Sequence, residues 1–420
     1  MSVSELETPN MPPQTSEKGD YASLLRPEEL PNGDRTMVLN MGPQHPSTHG
    51  VLRLLLEIDG EVVINVQPDI GYLHTGIEKT CEAKFYQQVV PLTDRIDYLC
   101  PMTNNLAYCL AVEKLLELEL PERAKWMRVL LNELTRIQSH LVWLGTHALD
   151  IGALTMFLYC FREREEILRI FENISGQRMM TSYFRVGGLS MEAPLDFWPR
   201  VQKFLKIMPE KIDQYENLLT GNPVWMGRLK NVGHLSAEDA IALGVTGPPL
   251  RASGVDWDLR RDMPYSGYEK FDFKVPVSNG CDVWARYVVR MAEMRESVKI
   301  AQQAFDGMPD GPIKANAPKV VLPDREKMKT QMESLIYHFK IVTEGFTVPR
   351  GEVYQAVESP RGEMGYYVVS DGTAKPFRVH MRNPSFATLQ AVNKMCVGRL
   401  LADVVAVIGS IDIVLGEIDR

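Results

Sequence analysis

Leu106-Ala107-Tyr108-Cys109-Leu110-Ala111-Val112-Glu113-Lys114-Leu115-Leu116-Glu117-Leu118 repeats its apolar residues at the helical period, and this stretch decides the class of fold. Pro121 follows, where the first turn of a new helix tolerates proline. Leu134, Ile137, Leu141 and Leu144 then fall on one stripe of that helix. A third helix is predicted from about Ala153 to Ile174, with Gly176 suited to cap its C-terminus. Further helical patterns cover roughly 195–219, 282–306 and 324–342. Helices this long and this apolar pack as a bundle whose central members are buried.

Outward from the bundle, both ends turn to strands. On the N-terminal side, Thr36 to Met41 is a short strand-like run, followed by the loop Gly42-Pro43-Gln44-His45-Pro46-Ser47-Thr48-His49-Gly50. Its two prolines and two glycines forbid helix. Val51 to Ile58 and Glu61 to Val66 are apolar, β-branched runs joined by Asp59-Gly60, a strong hairpin signal. Residues 1–35 are rich in proline and polar side chains and read as an extended or disordered tail. On the C-terminal side, Val353 to Val357, Tyr366 to Ser370 and Phe377 to Met381 read as strands, with Asp371-Gly372 as a turn. A closing helix is expected at about 386–409. The reading is an α+β chain: a small N-terminal antiparallel unit (36–100), a helical core (101–345) and a C-terminal β/α unit (346–420).

Composition narrows the function. A net charge of −8, from 54 acidic against 46 basic residues, argues against a nucleic-acid partner. No stretch reaches the roughly 20 uninterrupted apolar residues of a membrane-spanning helix. The nearest, Val397 to Gly416, is broken by Arg399, Asp403 and Asp412. The six cysteines form no C-x-x-C pair, so no zinc, iron–sulfur or thioredoxin-like motif can be read from them. They read as buried thiols in a reducing compartment. The N-terminus lacks an apolar signal core and is too acidic for a transit peptide, which points to a bacterial cytoplasmic setting.

Few residues stand out for chemistry, and each has a structural alternative. His45 and His49 lie four apart, but Pro46 keeps them off one helix face and no further ligands complete a metal set, so no metal is expected. The loop instead offers an imidazole at a constrained position, able to change charge near neutral pH. Tyr98, in the polar interruption Thr93 to Asp97, is either an amphipathic packing residue or a donor to a carbonyl ligand. Asp150 is either a cap for the next helix or a buried partner for a cation. Glu133, Arg136 and His140 share one helix face, a solvated stripe or a relay, with the solvated stripe expected.

Gly42 to Arg53 resembles the signature of the D-type subunit of bacterial NADH-quinone oxidoreductase, respiratory complex I. The resemblance continues through Gly71-Tyr72-Leu73-His74-Thr75-Gly76-Ile77-Glu78-Lys79, Asp94 to Tyr98, Asn132-Glu133-Leu134, Leu149 to Ala153, Leu250 to Val255, Tyr265 to Tyr268, Arg295 to Ser297 and Arg361 to Gly372. It spans about residues 36–420. That family is similar in fold to the large subunit of nickel–iron hydrogenases, which hold their metal with two C-x-x-C pairs. The corresponding stretches here look like Leu73-His74-Thr75-Gly76 and Asp412-Ile413-Val414-Leu415, without a thiolate. The resemblance therefore implies a quinone cavity where those enzymes hold metal.

It also implies roles. His49 and Tyr98 would hydrogen-bond the quinone head group, and Asp150 would be the carboxylate partner of His49. Quinone reduction adds two electrons and two protons, so donors near the carbonyl oxygens are favoured. A phenol with a reference pKa of about 10 and an imidazolium at about 6.5 suit that task. The chain itself would carry no redox cofactor. NADH, FMN and iron–sulfur clusters would sit on partner subunits. The B-type subunit would hold the terminal cluster, with the C-type and I-type subunits and the membrane-embedded H-type subunit as further neighbours. The implied location is peripheral, on the cytoplasmic side of the cell inner membrane, with proton pumping coupled to quinone reduction and no complete activity in the isolated chain. The alternatives are a quinone oxidoreductase fed by another donor, a hydrogenase-type catalytic subunit, which the missing thiolates oppose, and a structural scaffold.

Overall fold

The computed structural model describes residues 28–29 and 35–420. Most of the predicted tail therefore lies outside the described residues. Within it, Glu28–Glu29 pairs antiparallel with Arg35 and Thr36.

Arg35–Met41, Arg53–Asp59 and Val62–Asp69 form an antiparallel meander. Along the middle strand Leu54, Leu56 and Ile58 are buried while Arg53, Leu55 and Glu57 are half-buried, the period-two alternation of a sheet with one face on the core. Asp59 pairs with Val62, so the turn falls where Asp59-Gly60 predicts it.

The helical core is centred on Glu122–Asp150, 29 residues of which 21 are buried. Pro101–Leu115, Leu154–Ser175, Val283–Asp306 and Leu401–Ile411 all pack against it. On a helix this buried, each polar group left unpaired costs the water it has lost. Gly176 ends the Leu154–Ser175 helix in the left-handed conformation, as its position predicts. Phe197–Leu219 and Val283–Asp306 match their sequence patterns closely.

Two expectations need correction. The 324–342 pattern is two helices, Arg325–Thr330 and Met332–Glu344, divided at an extended Gln331. The closing helix is broken into Pro384–Leu389, Val392–Cys396 and Leu401–Ile411. The second break has a clear cause. Residues 398–401 leave the helix to bond the edge of the first sheet: Gly398 N donates to Val63 O at 2.8 Å, Val63 N to Arg399 O at 2.8 Å and Leu401 N to Glu61 O at 2.9 Å. After Ile411, Leu415–Asp419 is a short helix whose five residues are all buried.

Gly351–Ser359, Gly362–Ser370 and Arg378–Arg382 make the C-terminal antiparallel sheet. Ser359 pairs with Gly362, so Pro360-Arg361 is a two-residue hairpin turn aimed into the protein. One continuous hydrophobic core joins the first sheet, the bundle and this sheet. Among the described residues no helix is long and apolar enough to cross a membrane.

Candidate functional site

The His-containing loop is built on a single turn of 3-10 helix, Pro46–Thr48. His45 caps it: its Nδ1 accepts from Ser47 N at 3.2 Å. Thr48 Oγ1 donates to His45 O at 2.9 Å and fixes the turn from inside. Gly42 is required where the loop leaves the first strand. Its φ is 92°, and a Cβ there would stand 2.1 Å from Leu52 O. His49 closes the turn with φ 55°, a left-handed conformation uncommon for residues other than glycine. The two histidines thus part company: one is a cap, the other is projected outward. His49 keeps contact with solvent but is crowded by protein, and that loss of water lowers its pKa. Asp412 raises it in opposition and Arg361 lowers it further.

Tyr98 lies just ahead of the Pro101–Leu115 helix and opens onto a cavity of about 460 Å³. Leu73, Thr75, Ile77, Thr80, Leu92, Arg95 and Gly416 complete the lining, which is mostly apolar. Gly416 is there for lack of room: a Cβ would lie 2.7 Å from Ile96 O and 3.3 Å from Tyr98 Cε1. Burial raises the Tyr98 pKa, Asp97 and Glu417 add to it, and Arg361 opposes it. The phenol therefore stays protonated and able to donate.

Arg361 is the group shared by Tyr98 and His49. Its side chain is buried. Nη1 donates to Asp97 Oδ2 at 2.6 Å, Nε to Asp412 O at 2.8 Å and Nη2 to Asp412 Oδ1 at 3.3 Å. Burial works against the guanidinium charge, but Asp412 and Asp97 outweigh it and raise its pKa. Asp97 also accepts from Cys100 Sγ at 2.5 Å. Burial, then Asp97, holds that thiol far above the range in which it ionises. Glu417, buried and facing Asp97, is pushed up to about 8; Ser385 donates to it from both N and Oγ.

The 71–74 loop meets the end of the Leu415–Asp419 helix. Asp419 accepts from Gly71 N at 2.8 Å and Leu73 N at 2.6 Å, and its carbonyl bonds His74 Nδ1 at 2.6 Å. Leu73, Thr75 and Gly416 border the same cavity. Among the described residues, no group of three or more His, Cys, Asp or Glu is arranged to hold a metal ion. Five of the six cysteines are buried and none is disulfide-bonded.

Asp150 is the last residue of its helix and half-buried. Ala153, not Asp150, stands at the N-cap of the next helix. Burial raises the Asp150 pKa and His45 lowers it. Among the described residues no hydrogen bond or ion pair joins Asp150 to His49; the carboxylate that acts on His49 is Asp412.

Glu133, Arg136 and His140 are not a solvated stripe. All three are fully buried. Glu133 bonds Arg136 and Arg260 and accepts from Tyr268 Oη at 2.6 Å. His140 Nε2 lies 3.2 Å from Glu293, which also meets Arg136, Arg251 and Arg260. Burial disfavours the Glu293 charge, but Arg251, His140 and Arg136 outweigh it and hold its pKa well below the ordinary value. Sequence spacing placed the three on one face correctly. It could not say that this face looks inward, because their partners lie more than a hundred residues away. Arg361 and Asp412 had a faint signal: a cation in a tight strand-to-strand turn, and one acid inside an apolar run.

Comparison with known proteins matches residues 150–420 to the family described as respiratory-chain NADH dehydrogenase, 49 Kd subunit. Three relatives are NADH-quinone oxidoreductase subunits of the D type. D-subunit 2 of Koribacter versatilis (strain Ellin345) is 75% identical over 387 residues, 92% of this chain and 96% of the relative. D-subunit 1 of Solibacter usitatus (strain Ellin6076) is 68% identical over 402 residues, 96% of this chain and 98% of the relative. D-subunit 2 of Chloroflexus aurantiacus is 61% identical over 388 residues, 92% of this chain and 94% of the relative.

Proposed function

This chain belongs to the family of the 49 kDa subunit of respiratory-chain NADH dehydrogenase, and we propose that it builds the quinone-reduction site in the peripheral arm of a proton-translocating NADH:quinone oxidoreductase. The observation that carries this reading is the apolar cavity of about 460 Å³ beside Tyr98, edged by the 71–76 loop and Gly416. An apolar pocket with a few polar groups at its wall is the ordinary form of a small-molecule site.

Tyr98 and His49 serve as the donors to the quinone head group. The two electrons would be supplied by a terminal iron–sulfur cluster held by the B-type partner subunit, with the NADH and FMN chemistry on other chains. As negative charge develops on the quinone oxygens, the phenol and the imidazole donate to them, and the fixed cation of Arg361 lowers the cost of that charge. When His49 takes up a proton and passes it on, the charge that faces Asp412 changes. Asp150, whose carboxyl feels His45, senses a charge change in the same loop. This shift in the balance between loop histidines and their carboxylates is the proposed link to proton transfer in the membrane arm. Contacts with the C-type and I-type subunits and the membrane-embedded H-type subunit, and a position on the cytoplasmic face of the inner membrane, complete the reading.

The test compares Tyr98→Phe and His49→Ala in assembled complexes, measuring NADH oxidation with a quinone and with an artificial acceptor that bypasses the site. Quinone reduction is expected to fall while the bypass reaction persists. Quinone reduction at the wild-type rate in both variants rejects the assignment.

A further inference from the structure

Arg361 reaches the site from a two-residue turn, so its placement depends on what holds that turn. Three residues earlier, Glu358 is gripped from several sides. Its Oε1 accepts from Arg251 Nη1 at 2.8 Å and its Oε2 from Leu259 N at 3.3 Å. Its carbonyl accepts from Arg136 Nη2 at 2.7 Å, and its N–H donates to Tyr265 Oη at 3.0 Å. Arg251 is anchored in turn on Glu293, at 3.2 Å. Beyond the turn, Gly362 lies so close to Thr246 that a Cβ would be 2.5 Å from Thr246 Oγ1. That hydroxyl accepts from Glu363 N at 3.0 Å.

We propose that Glu358 is a positioning residue for the quinone chemistry: the Arg251 clamp on it fixes the hairpin tip from which Arg361 reaches Asp97 and Asp412. This inference rests on the quinone-site reading. A buried carboxylate is an expensive way to hold a turn unless several donors converge on it, and here they do. The charged and titratable groups around Glu358 are Arg251, Arg136, Arg260, Asp258 and Tyr265. Those acting on His49 are Asp412 and Arg361. Buried Arg290 feels both sets, Asp412 and Arg361 on one side and Glu293 and Arg251 on the other; the hairpin is the covalent link between them.

Glu358→Gln keeps an acceptor for Arg251 but presents an amide to Leu259 N, which needs an acceptor. The tip is then free to shift. As Arg361 recedes, its lowering effect on His49 weakens and Asp412 is left less neutralised, so the His49 pKa rises. In the assembled complex, quinone reduction is expected to lose about ten- to a hundredfold in kcat/KM. Its pH profile is expected to move alkaline by about half to one unit, while the bypass reaction is unchanged. A merely structural role for Glu358 would not move the profile. Combined with Arg361→Lys, Glu358→Gln is expected to add little, because both act on one contact. Thr246→Val loosens the same tip from its other side and is expected to shift the profile in the same direction. It carries the test if Glu358→Gln fails to assemble. An unmoved profile in the assembled variants, or full additivity with Arg361→Lys, overturns the proposal. If instead His49→Ala and Tyr98→Phe leave quinone reduction intact, the site reading fails and this inference falls with it.

Discussion

Arg361 donates from Nη1 to Asp97 Oδ2 at 2.6 Å, tying a hairpin turn to the segment that carries Tyr98. Both side chains are buried, so neither has water to fall back on if the other is removed. Arg361→Met should cost roughly 3–5 kcal/mol, the usual penalty for stripping one partner from a buried pair. Thermal inactivation of the assembled complex reads that loss. A variant as stable as the parent would mean that Asp97 and Asp412 find other partners.

Glu133→Gln separates the buried network from a solvated stripe. Arg136 and Arg260 would lose a shared anion, and one oxygen that accepts from them would become an NH2, while the remaining oxygen can still accept from Tyr268. The expected destabilisation is again about 3–5 kcal/mol, against less than ~0.5 kcal/mol for a surface change. Denaturation midpoints of parent and variant decide between the two values.

His147 predicts acid lability. It is buried among Trp143 and Trp225. Burial, helped by Arg290 and Arg286, lowers its pKa to about 3. The unfolded chain therefore binds more protons wherever the pH lies between the ordinary value of about 6.5 and this one. The stabilising contribution is fully present above that window and is lost as pH falls through it, at up to about 1.4 kcal/mol per pH unit. His147→Gln should flatten the fall in stability between neutral pH and about pH 5, followed by thermal inactivation at each pH. An unchanged slope would assign the acid lability to other groups.

Gly416→Ala probes the cavity wall. The added methyl would meet Ile96 O at 2.7 Å and the Tyr98 ring at 3.3 Å, so the ring or the Leu415–Asp419 helix must give way. The expected result is a several-fold rise in KM for quinone with the bypass reaction preserved, since forced shifts of this size displace site groups. Equal KM values would mean that the quinone does not use this wall.

The helices at 195–219 and 282–306, the Asp59-Gly60 hairpin and the Gly176 cap were legible because each rests on neighbours within one or two turns. The closing helix was not, because its break at 398–401 is made by the edge of a distant strand. His49 and Tyr98 could be named from the loop and its resemblance to a family. The influence of Asp412 on His49 could not be read from the same source, because the two lie in distant parts of the chain.

The sequence by itself therefore determined the family, the helical core flanked by two small sheets, and the candidate donors His49 and Tyr98. Tertiary structure alone decided which charges surround them: Asp412 on His49, His45 near Asp150, and Arg361 between Asp97 and Asp412. The reason is range. Periodicity and turn chemistry act over a few residues, whereas Arg361 and Asp97 are 264 residues apart and meet only when the C-terminal hairpin packs into the bundle. There, the loss of water makes each buried charge depend on the one partner the fold has brought to it.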